Sequence, residues 1–397
     1  MAIEFEFSPD LEALRASVRA FLQREVAPVL PEMDETEEFP GPTVRRMQEQ
    51  GYFGAPIPEE YGGLGLGKVG YCILLEELGR VDASHAAILG AHTSLGATPL
   101  LYYGTEEQKR RWLVPAARGE KLLAFSLTEP GSGSDSGALQ TVAERRGDRF
   151  EISGTKIYVT NGREADTIVL LAATDAKLGP SGGITAFLLD RGSAGFSVGR
   201  CEKKMGLHGT STAELILDHV MLGPEHVLGP VGKGFGVAMT ALDVGRVCLG
   251  AGSLGAIGAA CEQASRFAQD RTQFGLPISE YQAIQFKLAD MAMHAQALRY
   301  LVYQAASHQD RMGNDPARWS RLDRQRKTRD SAIVKCLGSE WASAAVDAAL
   351  QIHGGLGYIR GTPIERAYRD ARISSIFEGT NEIQRLIIAR DLLARGL

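Results

Sequence analysis

The chain has 397 residues, 44% of them hydrophobic and 23% charged, with a formal net charge of -5. That length favours two or three domains with ample core, and the mildly acidic balance argues against nucleic acid or an anionic membrane surface as a partner. The five cysteines (Cys72, Cys201, Cys248, Cys261, Cys336) are scattered and form no CxxC pair, which implies reduced thiols, no clustered metal site and a cytoplasmic setting.

In chain order, the opening MAIEFEFSPD lacks the cationic and apolar runs of an export signal. Ser8-Pro9 then predicts a helix cap and a first-turn proline, with Leu11, Leu14, Val18, Phe21 and Leu22 as one apolar stripe. Helical text continues to about residue 120, where Thr105-Glu-Glu-Gln108 has the pattern of a capping box. Between about 121 and 228 the grammar changes. LLAFSL, RFEISGTKIYVTNG, TIVLLAAT, GITAFLLD and TAELILDHVML are short β-branched or alternating runs separated by turn residues, the signature of a β-barrel or sandwich. From about 229 the chain is helical again, with four long amphipathic stretches that predict a four-helix bundle. The polar stretch 308–330 between two of them is expected to be a solvated loop or helix end. Apolar helices in this text are interrupted by His85, His92, Asp243 and Arg246, so no membrane span is expected. The fold class is therefore α+β multidomain: a helical domain over 1–120, a β-domain over 121–228 and a helical bundle over 229–397.

Several ligand motifs fail on spacing. GSGSDSG (131–137) puts Ser136 where a dinucleotide fingerprint needs its third glycine, and it lies among strands. GPVGKGF (229–235) lacks the spacing and hydroxyl residue of a Walker loop. No HExxH and no GxSxG are present. What remains is a dispersed set: LTEPGSGSD (127–135), KIYVTNG (156–162), KKMGLHGTSTAEL (203–215), LDVGR (242–246), RTQFG (271–275), QIHGGLGY (351–358) and RDARISSIFEGTNEIQRLIIAR (369–390). Each segment alone is weak. In this order and spacing, along nearly the whole chain, they resemble the acyl-CoA dehydrogenase family.

The resemblance implies FAD-dependent α,β-dehydrogenation of an acyl-CoA thioester, with electrons passed to an electron-transfer flavoprotein. It also implies a homo-oligomer, a tetramer built as a dimer of dimers, with FAD partly shared across a subunit interface. Glu378 matches the family's base, and an acyl chain lying against it would exclude water and raise its pKa. In some members the base stands instead at the position of Gly245, which cannot ionise. Phe125, Leu127, Thr128, Gly133 and Ser134 would run along the flavin, with Tyr158, Val159 and Thr160 on its other side; Tyr158 stands where tryptophan is more usual. Arg271, Gln273, Phe274 and Gln282 would reach the FAD of the partner subunit. Gln351, Ile352, His353, Gly354 and Gly355, with Thr380, Asn381 and Glu382, would complete the cofactor site. Ser134, Asp243, Arg246 and Gly379 match substrate-binding positions, Asp243 and Arg246 gripping the CoA portion and Gly379 admitting the thioester. His208 replaces a more usual arginine, and the 310–330 segment is longer than is common in the family. An acyl-tail pocket near 83–103 and 242–252 is implied, and AAILGAHTSLG looks most like members acting on short or branched acyl groups. The competing expectations are an oxygen-using oxidase or monooxygenase on the same fold, and a non-catalytic relative.

Overall fold

The computed structural model describes residues 7–395; the segment MAIEFE, read above for an export signal, lies outside the described residues. The first helix, α1 (Pro9–Glu25), begins as the sequence predicts. The Ser8 hydroxyl accepts the Leu11 N–H, Pro9 occupies the first turn, and Val18, Phe21 and Leu22 are buried. Helix α2 (Gly67–Val81) is buried along most of its length, and α3 (Ala83–Gly90) is capped by the Asp82 carboxylate, which accepts the His85 N–H at 2.8 Å. A π-type segment, Ala91–Ala97, follows directly, the widened helix form that recurs at functional sites. The capping box at Thr105 is formed, with Thr105 and Gln108 exchanging both hydrogen bonds.

The middle of the chain forms eight strands: β1 (Leu123–Ser126), β2 (Val142–Arg146), β3 (Arg149–Thr160), β4 (Thr167–Ala173), β5 (Ile184–Asp190), β6 (Phe196–Cys201), β7 (Thr212–Leu222) and β8 (Val227–Leu228). They make one sheet in the order β6-β7-β3-β2-β4-β5-β8, with β1 pairing β4 in parallel. The sheet curls on itself. Phe150 of β3 and Phe187 of β5 are separated by two strands along the ladder, yet their rings meet edge to face at 5.3 Å inside a shared core with Ile152, Leu170 and Leu215. The opposite face of β4 and β5 (Val169, Leu171, Leu188) joins the helical core, so the β-layer is bound to the helices by apolar contact.

The C-terminal bundle contains α4 (Gly234–Asp270), α5 (Gln282–Met312), α6 (Arg321–His353), a short α7 (Pro363–Ala371) and α8 (Asn381–Arg395). By composition α4 is long and apolar enough to cross a bilayer, but 67% of its most apolar window is buried against its neighbours, as in a core helix. Its small residues serve close packing. A side chain at Gly255 would overlap the Glu76 carbonyl of α2, and Gly252 approaches Gly79 so tightly that a side chain on Gly79 would strike its backbone. The polar stretch 308–330 departs from expectation. Only Gly313–Ser320 lies outside the long helices, and α6 already begins at Arg321, capped by Ser320 accepting the Asp323 N–H. Within the stretch Trp319, His308 and Lys327 are buried; the Trp319 ring meets Tyr102 edge to face at 5.3 Å, and the Lys327 ammonium lies over both rings.

Candidate active site

Between α7 and α8 the chain makes a tight turn at Glu378 and Gly379, both with left-handed backbone, φ 57 and 90 respectively. For glycine that conformation is free; for glutamate it costs stability and marks a position held by its surroundings. Those surroundings are specific. Arg246 of α4 donates Nε to the Glu378 carbonyl at 3.1 Å, and the buried Gln384 donates Nε2 to the Gly379 carbonyl at 2.9 Å. A side chain at 379 would lie 2.8 Å from the Gln384 amide nitrogen and would have to displace that hydrogen bond.

The turn aims the Glu378 carboxylate at α4. A β-carbon built on Gly245 would stand 3.0 Å from Glu378 Cδ, closer still to Oε2, and 3.0 Å from Leu95 of the π-type segment. The two positions that the resemblance offered for the base therefore converge on one space, and the glycine leaves it open for the glutamate. Glu378 Oε2 is sealed from solvent and has no hydrogen-bond partner among the described residues, which is rare for a buried polar atom. Burial pushes this carboxyl up to about 7, against the opposing pull of Arg246 and Lys335. A carboxylate so poised can take a proton near neutral pH.

Below the turn, Lys335 of α6 is fully buried and donates Nζ to Asn381 Oδ1 at 2.8 Å, while Asn381 Nδ2 donates to Ser339 Oγ at 2.9 Å. Burial pulls Lys335 down to about 8. The Asn381 side chain, expected at the cofactor site, is thus turned into the bundle, so its backbone is the part that would meet a cofactor. Helix α8 is opened instead by Thr380, whose hydroxyl accepts the Ile383 N–H, leaving Glu382 on the first turn.

The remaining predicted residues fall into two groups. In the first, the Ile157 N–H donates to the Thr128 carbonyl at 3.0 Å, bringing the end of β1 (Phe125, Leu127, Thr128) beside Tyr158 and Thr160. Tyr158 is 62% exposed on a left-handed backbone (φ 58), and Gly133 and Ser134 lie on the exposed loop that follows Thr128. The second group is at the far end of the bundle. Arg271, Gln273 and Phe274 occupy a two-stranded hairpin, and Gln282 starts α5. The Tyr281 hydroxyl bonds the Gln273 carbonyl, and Phe274 is 94% exposed. His353 stacks on Phe267 at 4.4 Å, which places Gln351, Gly354 and Gly355 next to this hairpin. From Gly245 to Arg271 is 26 residues of α4, about 39 Å along its axis, so the second group does not close around the base of its own chain. The Val159 and Ile352 side chains are buried in apolar cores, so their backbone is the part that would meet a ligand. Asp243 and Arg246, expected to grip the CoA portion, are also buried, at 5% and 3% exposure.

Sequence reading missed what holds the LTEPGSGSD loop. Its Glu129 accepts the Gln140 and Thr141 N–H groups and pairs with Lys156 Nζ at 2.7 Å, which also donates to the Leu127 carbonyl. Burial draws Lys156 down to about 8 against the raising effect of Glu129. The signal was present, since Glu129 and Lys156 each sit inside a quoted segment, but nothing local pairs residues 27 apart. His208 also finds its place: its ring lies between the Asp34 carbonyl at 2.9 Å and the Lys204 carbonyl at 3.1 Å, beside the Arg369–Asp34 ion pair. It joins all three parts of the chain.

Comparison with known proteins gives matches along the whole chain. The family models for the acyl-CoA dehydrogenase N-terminal, middle and C-terminal domains match residues 8–120, 124–220 and 232–393. The chain is 41% identical over 387 residues to the short-chain specific acyl-CoA dehydrogenase of Clostridium acetobutylicum, covering 98% of this chain and 99% of that one. A chain in a solved structure of the electron transferring flavoprotein of Acidaminococcus fermentans is 40% identical, with a TM-score of 0.92 over 98% of this chain and 100% of that one. An acyl-CoA dehydrogenase complexed with FAD from Bacillus anthracis is 36% identical, with a TM-score of 0.91 over 98% of this chain and 67% of that one.

Proposed function

The chain belongs to the acyl-CoA dehydrogenase family, and we propose that it oxidises a short-chain acyl-CoA to the trans-2-enoyl-CoA with Glu378 as base. The observation that carries this reading is the unpartnered, buried Glu378 Oε2 facing the open side of Gly245. Glu378 takes the α-proton of the thioester. Among the described residues the Glu378 N–H has no acceptor, and its carbonyl is fixed by Arg246. That leaves the N–H ready to polarise the thioester oxygen as negative charge develops there.

The residues present fit FAD. The exposed Tyr158 ring stands beside the strand end that carries Phe125 and Thr128, and Gly133, Gly354 and Gly355 have open space where side chains would be. FAD, when bound, accepts the hydride from the β-carbon and passes the electrons on to an electron-transfer flavoprotein. The protein's own contribution is the base, its dry environment and the alignment of the acyl group. The likeness to an enzyme named short-chain specific, and to a chain from an electron-transferring flavoprotein structure, favours this reading over an oxygen-using relative. The intact base argues against a non-catalytic one.

We extend the reading to assembly and setting. The exposed Arg271–Gln282 group, with Phe274, Phe286 and Met293 bare on the same end of the chain, supports a homotetramer in which this group completes the FAD site of a partner. Five free thiols support a cytoplasmic setting. The decisive experiment is anaerobic titration of the yellow protein with straight and branched acyl-CoAs of graded length. Bleaching that is fastest for butyryl-sized groups is the expected outcome. No bleaching with any acyl-CoA, or oxygen consumption that matches turnover, would defeat the proposal.

A further inference from the structure

The segment 203–211 is fastened to every part of the chain, with His208 near its centre. The Leu207 N–H donates to Asp370 Oδ1 of α7 at 2.6 Å, and the Gly209 N–H donates to Ser84 Oγ of α3 at 3.2 Å. At the end of the segment the Ser211 carbonyl accepts the Asn161 N–H, and the next residue, Thr212, pairs with Thr160, which braces the strand end that carries Tyr158. Leu207 has left-handed backbone (φ 53), a conformation that persists in a residue with a side chain only where its surroundings hold it. The His208 ring is buried, with Nδ1 2.9 Å from the Asp34 carbonyl and 3.0 Å from Asp34 Oδ1. Its Nε2 stands 3.1 Å from the Lys204 carbonyl and 3.9 Å from Glu37 Oε1. All of these oxygens only accept. A neutral imidazole has a single N–H and turns a lone pair against one of the two carbonyls, whereas the protonated ring donates to both.

We infer that His208 is a charge-dependent latch: its protonated ring ties Asp34 to Lys204 and holds segment 203–211 against the strand end that carries Tyr158 and Thr160, and loss of that proton loosens the segment. The consequence for FAD rests on the flavin-site reading above; the latch itself does not. Charged groups face the ring from each neighbouring element. Helix Leu30–Thr36 and its C-cap bring Asp34 and Glu37, which favour the charged ring. The segment brings Lys204 and, through Ser211, Glu164. From α7 comes Arg369, whose Nη1 lies 3.5 Å from both ring nitrogens and opposes the charge. That guanidinium is itself held by Asp34 at 2.6 Å and by Glu365 at 3.1 Å. Arg366 acts on Asp34, and Asp82, paired with His85, stands beside Ser84 on the α3 side. Asp370, raised to about 7, turns negative as pH rises, which favours the ring's proton and so works against the latch opening.

The test is hydrogen exchange of segment 203–212 in the flavinated holoenzyme, with FAD release followed by flavin fluorescence, from about pH 5 to about pH 8, the range over which histidine changes charge. His208→Gln takes no charge, so it gives the open state at every pH and cancels the chemical pH dependence of exchange. At the acid end wild type should exchange and release FAD about tenfold more slowly than this variant, the worth of one charged hydrogen bond. At the alkaline end the two should converge. Glu37→Gln alters an exposed side chain, keeps His208, and removes an anion that favours the charged ring. It should therefore fold as wild type does and bring the convergence to lower pH. A ratio of wild type to His208→Gln that is constant with pH would overturn the latch, because the ring would then act by shape alone. A Glu37→Gln profile that coincides with wild type would overturn it too, and that test needs no change at His208. Convergence in exchange without convergence in FAD release would uphold the latch and remove Tyr158 and Thr160 from the flavin, so failure of the latch and failure of the flavin-site reading are told apart.

Discussion

Substituting Gly245 by alanine adds a single methyl group to the wall of the base pocket. The new β-carbon would stand 3.0 Å from Glu378 Cδ and 3.0 Å from Leu95 Cδ2, whereas carbons at rest prefer about 3.5–4.0 Å. Relief requires a displacement of roughly 0.5–1 Å. Leu95 closes the opposite side and the Glu378 backbone is pinned by Arg246, so the movable part is the carboxylate itself. A 1 Å misplacement at a reacting centre costs about a hundredfold in rate. Stability should respond differently: overpacking costs about 1–3 kcal/mol, while alanine gains about 1 kcal/mol over glycine inside a helix. Gly245→Ala should therefore melt within a few degrees of wild type, keep its FAD, and reduce its flavin with butyryl-CoA about a hundred times more slowly. Stopped-flow reduction beside a thermal melt separates the two effects. A variant that reduces at the wild-type rate would refute the placement of the base against this glycine.

Three further outcomes follow from the same geometry. Glu378→Gln should retain FAD and bind acyl-CoA yet lose flavin reduction by more than the ~10²–10⁴-fold typical of general bases; rapid bleaching would put the base elsewhere. Arg271→Ala should release FAD and loosen the oligomer together, since Arg271 stands about 39 Å of helix from its own base; sedimentation showing a flavinated oligomer of wild-type size would end the shared-site idea. Asp370 is buried, and burial together with the nearby Asp82 raises its carboxyl to about 7, against the Leu207 N–H it accepts at 2.6 Å. Its folded form holds a proton that the unfolded chain, at ~3.9, releases, so its stabilising share is full below pH ~4 and lost as pH rises through about 7. Asp370→Asn should flatten that decline, and melts from pH 5 to 8 that fall as steeply as wild type would refute it.

Much of this was legible in the residues, and the failures have causes. Caps such as Ser8 and Thr105 are local chemistry and were formed as predicted. Strands β2 and β6 were missed because they are polar and largely unburied, and β8 because two residues carry no period. Glu378 was singled out as the candidate base through the IFEGTNE segment, not through any rule of spacing. What sequence could not show was direction. Asn381 lies between two motif residues, yet its side chain turns the other way, towards Lys335. Arg246 is polar on a helix, which suggests a surface, but it is buried and one of its partners, the Glu378 carbonyl, lies 132 positions later in the chain. Such pairings are decided by tertiary packing, which single-sequence patterns do not encode.

The left-handed glutamate has a consequence for how this protein can change. Glycine at 378 would relieve a backbone conformation worth about 1–3 kcal/mol and remove a carboxylate oxygen buried without a partner. The sturdier molecule would be inert. A laboratory selection for heat resistance alone would drift towards that glycine, so any programme of stabilisation must screen for turnover at every round, and lineages released from the need to oxidise acyl groups have an easy downhill route to silence.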